Sequence, residues 1–212
     1  DVERSRGLGD VYKRQVQGEK NILFVNMAWG LGLGIIIDGN LYYGKSGFSG
    51  EFGHFCMFEN EVLCHCGKKG CLETEASGSA FHRILIERYR EGSNTILAGK
   101  LDSGEEISLG DLLEAVRKED VLCIDILEKM GVNLGKGIAG LMNIFNPELV
   151  ILGGTLSLAG EYISLPVKSA IRKYSLNLVN QDTEIKISKL GERAGAFGAC
   201  LLYTSDAADD RI

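Results

Sequence analysis

Residues 50–73 read GEFGHFCMFENEVLCHCGKKGCLE. Within this stretch, His54 is followed by Cys64 after nine residues, Cys66 after one more and Cys71 after four. Three thiolates and one imidazole make a tetrahedral Zn²⁺ set. With all four positions filled by protein, no place is left for an activated water, so such a site is structural. It would tie down a loop that has little apolar surface of its own. Gly67 and Gly70 let the backbone curl around an ion. Cys56 and His65 compete as ligands. Cys56 follows His54 by only two residues, and His65, between two ligands, is expected to point away from the ion. Cys123 and Cys200 fall in helical patterns and read as small buried hydrophobes.

Upstream of the loop, residues 21–27, NILFVNM, read as a short buried strand. Gly30, Gly32 and Gly34 follow, then Ile35-Ile36-Ile37 as a second strand. Asp38-Gly39-Asn40 is a hairpin turn, and Leu41-Tyr42-Tyr43 starts the return. Residues 44–72 are irregular and Gly-rich, as functional loops often are.

Downstream, Phe81, Leu85 and Tyr89 mark one face of a helix over 76–90. Ser108 caps a helix over 109–117. A long helix runs over 119–145, with Leu127, Met130, Leu134, Ile138, Leu141 and Phe145 in one stripe. Gly131, Gly135, Gly137 and Gly140 lie inside it. Each costs roughly 0.5–1 kcal/mol relative to Ala, so close packing is expected to compensate. Asn146-Pro147 ends the helix. Strand 149–152, Gly153-Gly154, helix 159–174, strand 184–188 and helix 192–201 complete the pattern. Antiparallel strands followed by helix-linked strands make an α/β fold.

Composition agrees with this. The chain has 212 residues, 45% apolar and 25% charged, which suits a folded domain. No stretch approaches the roughly 18 apolar residues that span a bilayer, which excludes a membrane-spanning chain. The net charge of −6 argues against this chain itself wrapping nucleic acid. Residues 1–15 and 202–212 lack any strand or helix period and read as non-native tails, leaving 16–201 as the domain, with its zinc loop at 50–73. Without the tails the balance is 18 basic to 23 acidic residues, so the sign holds.

GEFGH at 50–54 together with CHCGKKGCLE at 64–73 resembles the ROK family of repressors, open reading frames and sugar kinases. The resemblance extends over 16–201 and is closest to the NagC- and XylR-type transcriptional regulators. It implies an actin-like ATPase fold of the ribonuclease H-like kind, with this chain as the C-terminal lobe of the sugar-kinase fold. It implies a cytoplasmic, dimeric protein. It also implies that Glu51, His54 and Glu73 face a hexose or N-acetylhexosamine, with His54 binding the metal as well. The chemistry is consistent with those roles. A carboxylate can accept two adjacent sugar hydroxyls, and a metal-held imidazole can aim its second nitrogen at a sugar oxygen.

ROK kinases carry a G-T-G-x-G-x-G loop that contacts ATP phosphates. Aligned on Ile35-Ile36-Ile37-Asp38-Gly39, this chain has Ala28 and Trp29 where that loop has its first Gly and its Thr. An indole has no hydroxyl, and its bulk would fill the space of a phosphate. Gly30, Gly32 and Gly34 are what remains of the loop. Gly153 and Gly154 resemble the adenosine-side loop or a plain strand-to-helix turn. The catalytic Asp of ROK kinases would lie just upstream of residue 21. Asp10 is the only nearby candidate, so no catalytic residue is assigned.

Two functions are therefore expected. One is a sugar-sensing regulator whose DNA contact is made through an N-terminal domain beyond this chain. The other is a sugar kinase of the glucokinase type, using ATP and Mg²⁺. A zinc-stabilised domain without any ligand is the third and plainest reading.

Overall fold

The computed structural model describes residues 18–188. Both end segments, Asp10, Cys200 and the helix expected over 192–201 lie outside the described residues. Strand β1 (Ile22–Met27) is the centre of a mixed five-stranded sheet. Its neighbours are β2 (Leu31–Ile37), antiparallel, and β4 (Leu149–Gly153), parallel. The edges are β3 (Asn40–Leu41) and β5 (Glu184–Ile187), giving the order β3-β2-β1-β4-β5.

The near-continuous apolar run of β1 follows from burial on both faces. Leu23, Val25 and Met27 join the main core, while Ile22 and Phe24 join a second cluster with Ile36, Leu149 and Ile151. Glu148 fastens the start of this sheet: one carboxylate oxygen accepts from the Lys20 and Asn21 N–H groups, each at 2.7 Å.

Strand β2 begins at Leu31, four residues before the expected start at Ile35. Gly32 and Gly34 pair with Asn26 and Phe24 inside the ladder. Glycine is depleted in strands, which is why these positions read as loop. Here the pairing of Met27 with Leu31 leaves only Ala28-Trp29-Gly30 to turn the chain.

Seven helices lie among the described residues: α1 (Glu73–Ala76), α2 (Gly78–Arg90), α3 (Ala98–Ser103), α4 (Leu109–Arg117), α5 (Val121–Phe145), α6 (Glu161–Tyr174) and α7 (Asn177–Asp182). The single helix expected over 76–90 is broken at Ser77, whose extended backbone and hydroxyl cap the Ala80 N–H of α2. Asp120 starts α5 two residues later than expected by accepting from Cys123 N–H at 2.9 Å. The helix expected from 159 is a 3₁₀ turn (Thr155–Ala159) followed by α6. Helices α3 and α7 carry no long apolar stripe and escaped the periodicity reading.

Helix α5 lies between α6 and the base of the 50–73 loop. A Cβ on Gly135 would stand 2.6 Å from the Val167 carbonyl oxygen, and one on Gly137 2.8 Å from the Phe52 ring. Gly131, Gly135 and Gly137 thus serve internal packing. Gly140 has nothing within 4 Å. Opposite signs follow for one substitution. Gly140→Ala gains helix propensity and should stabilise by about 0.5–1 kcal/mol. Gly135→Ala makes the same gain but forces α5 and α6 apart, at a cost of about 1–3 kcal/mol, and should lower the denaturation midpoint.

Ser108 and Asp111 form the capping box of α4. The Lys100 ammonium at 2.7 Å and the Ser108 hydroxyl and N–H hold the Asp111 carboxyl down to about 2. A carboxyl depressed on folding stabilises the protein above its unfolded value near 3.8, and that contribution fades as the pH falls towards about 2. Asp111→Asn should cost about 1 kcal/mol at pH 7. The gap from wild type, read from urea midpoints, should shrink between pH 4 and pH 2.

Candidate functional site

The 50–73 loop is held mainly by short backbone contacts. Cys56 bridges Cys71 and Leu63 bridges Lys69. The Met57 and Cys64 N–H groups donate to the Gly70 and Lys68 carbonyls, both at 2.8 Å. Gly70 has φ +76°, and a Cβ there would strike the Phe58 carbonyl. Phe52 and Leu72 anchor the loop's two ends in the core and Met57 and Phe58 pack against it, while Phe55 and Leu63 are exposed.

His54, Cys64, Cys66 and Cys71 offer ligand atoms within 4.8 Å of one another. Cys64 Sγ lies 3.5 Å from His54 Nδ1, and Cys66 Sγ 3.7 Å from Cys71 Sγ. Zn–S and Zn–N bonds of about 2.3 and 2.0 Å give tetrahedral edges of roughly 3.5–3.8 Å. The donor set therefore has the dimensions of such an ion. Burial pushes the Cys71 thiol up to about 12 and raises Cys64 as well, while the Lys68 N–H favours the thiolate of Cys66. A cation taken up here must displace protons from the buried thiols. Cys56 stands apart from this set, with its sulfur 3.6 Å from the Lys69 carbonyl.

His54 has its other ring nitrogen, Nε2, 3.6 Å from Glu51 Oε2. Glu73, only 3% exposed, opens α1. Its Oε2 accepts the Leu31 N–H at 2.8 Å, and its Oε1 lies 2.9 Å from His65 Nδ1. His65, its side chain 66% exposed, pairs with Glu73 and packs edge-on against His54, with ring centres 5.1 Å apart. Spacing between two cysteines says nothing of a rotamer, so no sequence signal could have found this.

A cavity of about 460 Å³ opens beside Glu73 and His65, with Trp29, Gly30, Ser79 and Arg83 on its other walls. Trp29 is 52% exposed and lies 5.7 Å from the His82 ring. Its turn is docked on α2: the Ala28 and Trp29 carbonyls accept the Gly78 and Ser79 N–H groups at 2.8 and 2.9 Å. These are among the N–H groups that a helix start leaves without partners in the helix.

The other glycines meet at the same end of the sheet. Asn26 pairs with Gly32 on one side and Gly153 on the other. Gly30 packs against Glu73 Oε2. Gly154, at φ +85°, lies so close to the Met27 carbonyl that a Cβ there would stand 2.4 Å away. Close backbone approach is thus reason enough for glycine at 154.

A mixed sheet flanked by helices, with a His-Cys loop beside the β1–β2 hairpin, defines an α/β lobe of the actin-like sugar-kinase type. The chain belongs to the ROK family, which matches it over residues 4–206. It is 35% identical to the glucokinase of Halalkalibacterium halodurans over 192 residues, 90% of this chain and 58% of that protein. It is 31% identical to the xylose repressor of Caldicellulosiruptor bescii over 211 residues, 97% of this chain and 52% of the repressor. A solved ROK family transcriptional regulator, a homolog of the E. coli MLC protein, superposes with a TM-score of 0.84 at 31% identity, over 96% of this chain and 50% of that one. The chain spans little more than half the length of these curated relatives. No helix among the described residues is long and apolar enough to cross a membrane.

Proposed function

We propose that residues 16–201 are the C-terminal lobe of a sugar-sensing transcriptional regulator, stabilised by a structural Zn²⁺ on His54, Cys64, Cys66 and Cys71. Glu51, His54 and Glu73 receive a hexose or N-acetylhexosamine. DNA is bound by a separate N-terminal domain, and the working form is a dimer.

Trp29 carries the choice of regulator over kinase. It stands at the tip of the β1–β2 turn, where the kinase loop presents a Thr to phosphate, and its backbone is fixed on α2. An indole there removes the hydroxyl and fills the space. The xylose repressor and the solved regulator support the same reading. In this scheme the ion orders the loop and fixes the tautomer of His54, so that Nε2 can carry the proton and donate it. Glu51 and Glu73 accept sugar hydroxyls. Occupancy by sugar then favours one arrangement of the two lobes over another.

The kinase reading is favoured by the 35% identity to a glucokinase. In it, Gly30, Gly32, Gly34, Gly153 and Gly154 would adjoin ATP and Mg²⁺. The two readings separate when the full-length protein is given ATP and a panel of hexoses. Under the regulator reading sugar binds and no sugar-dependent ADP appears. Sustained ADP release would overturn it.

A further inference from the structure

Among the groups around the cavity, His65 has no part in the scheme above. We infer that His65 is a further sugar-contacting residue, which Glu73 presents to the ligand and which helps to select among ligand hydroxyls. This rests on the sugar-binding reading of the same site.

The geometry is that of a carboxylate–histidine pair. Glu73 is buried and locked by the Leu31 N–H through Oε2, so it cannot swing to follow a ligand. Its Oε1 lies 2.9 Å from His65 Nδ1. In the neutral ring this places the proton on Nδ1 and leaves Nε2 as an acceptor. The His65 side chain is 66% exposed and lines the same cavity as Trp29. His54 packs edge-on against it, which limits the tilt of the ring. A hydroxyl that donates to Nε2 would thus meet an oriented acceptor next to the Glu73 carboxylate. A ligand lacking that hydroxyl would leave Nε2 without its partner. A single neutral hydrogen bond is worth about 0.5–1.5 kcal/mol, or up to roughly tenfold in affinity.

The test uses the full-length, zinc-loaded protein and calorimetric titration with D-glucose, N-acetyl-D-glucosamine and the monodeoxy analogues of whichever binds. His65→Phe keeps the ring shape and removes both nitrogens, and His65→Gln restores an amide. The expected result is that His65→Phe weakens the parent sugar by about five- to tenfold. One deoxy analogue should bind both proteins equally, and His65→Gln should recover part of the loss. Equal weakening towards every analogue would mark a structural role and overturn the inference. Unchanged affinity would do the same. Loss of zinc from His65→Phe would make His65 a metal ligand and also overturn it. If wild type binds none of these sugars, the parent reading fails, and this inference fails with it.

Discussion

Cys71→Ser is expected to remove stoichiometric zinc and to lower the melting temperature by about 6–12 °C. Cys71 is fully buried at the base of the loop, directly before Leu72 and α1. A serine cannot supply the third thiolate of the set, and three ligands hold Zn²⁺ more weakly. The loop then loses the cross-link over its middle, where Phe55 and Leu63 are exposed and a few backbone hydrogen bonds remain, while Phe52 and Leu72 still anchor its ends in the core. A loss of about 3 kcal/mol corresponds to that temperature shift in a domain of this size. Cys56→Ser is the control, because Cys56 lies outside the four-ligand set. Elemental analysis should give one zinc per chain for wild type and Cys56→Ser, and far less for Cys71→Ser. A wild type whose melting is indifferent to chelator would refute the structural ion.

The consequence should reach beyond the loop. Cys71, Glu73 and Gly78 follow one another within eight positions. Glu73 holds the Leu31 N–H, and Gly78 and Ser79 hold the Ala28 and Trp29 carbonyls. The loop that would bind the ion is therefore bonded directly to the hairpin that carries Trp29. In a two-lobed protein this is a short mechanical path from a ligand at Glu73 to the end of the sheet. It is a route by which ligand could bias the position of that hairpin.

Much of this was legible in the residues. The apolar run 22–27, the Ile35-Ile36-Ile37 block and the 127–141 stripe gave the sheet centre and its main helix, because burial imposes period and length. The clustering of His54, Cys64, Cys66 and Cys71 was legible because metal-ligand chemistry restricts both residue type and spacing. The failures have physical causes. Gly32 and Gly34 read as a loop, yet the ladder from Asn26 keeps them in β2. Ser77 read as helix interior, yet its hydroxyl breaks the helix in order to cap it. The pairing of His65 with Glu73 had no local signal, because the buried carboxylate 2.9 Å away lies eight residues further on. Contacts of that kind depend on the closed loop, not on any local pattern.

Glu73 offers the sharpest separation of architecture from recognition. Glu73→Gln keeps a carbonyl oxygen that can still accept the Leu31 N–H. The hairpin should stay docked, and stability should remain within about 1 kcal/mol of wild type, as expected where one hydrogen bond is exchanged for another. The amide, however, replaces the second acceptor with a donor. It can no longer take a sugar hydroxyl as a carboxylate does, and it faces the His65 Nδ1 proton with one of its own. Hydrogen bonds to charged groups are worth about 1.5–3 kcal/mol each, so sugar affinity should fall by roughly tenfold to a hundredfold or more. Glu73→Ala should differ in kind: it leaves the Leu31 N–H without its partner, opens a hole beside Gly30 and should lose stability as well as affinity, by about 1–3 kcal/mol for the orphaned donor alone. Calorimetric titration with sugar and thermal melting of both variants would read the two effects apart. If Glu73→Gln binds sugar as wild type does, Glu73 serves only to hold the hairpin and has no part in recognition.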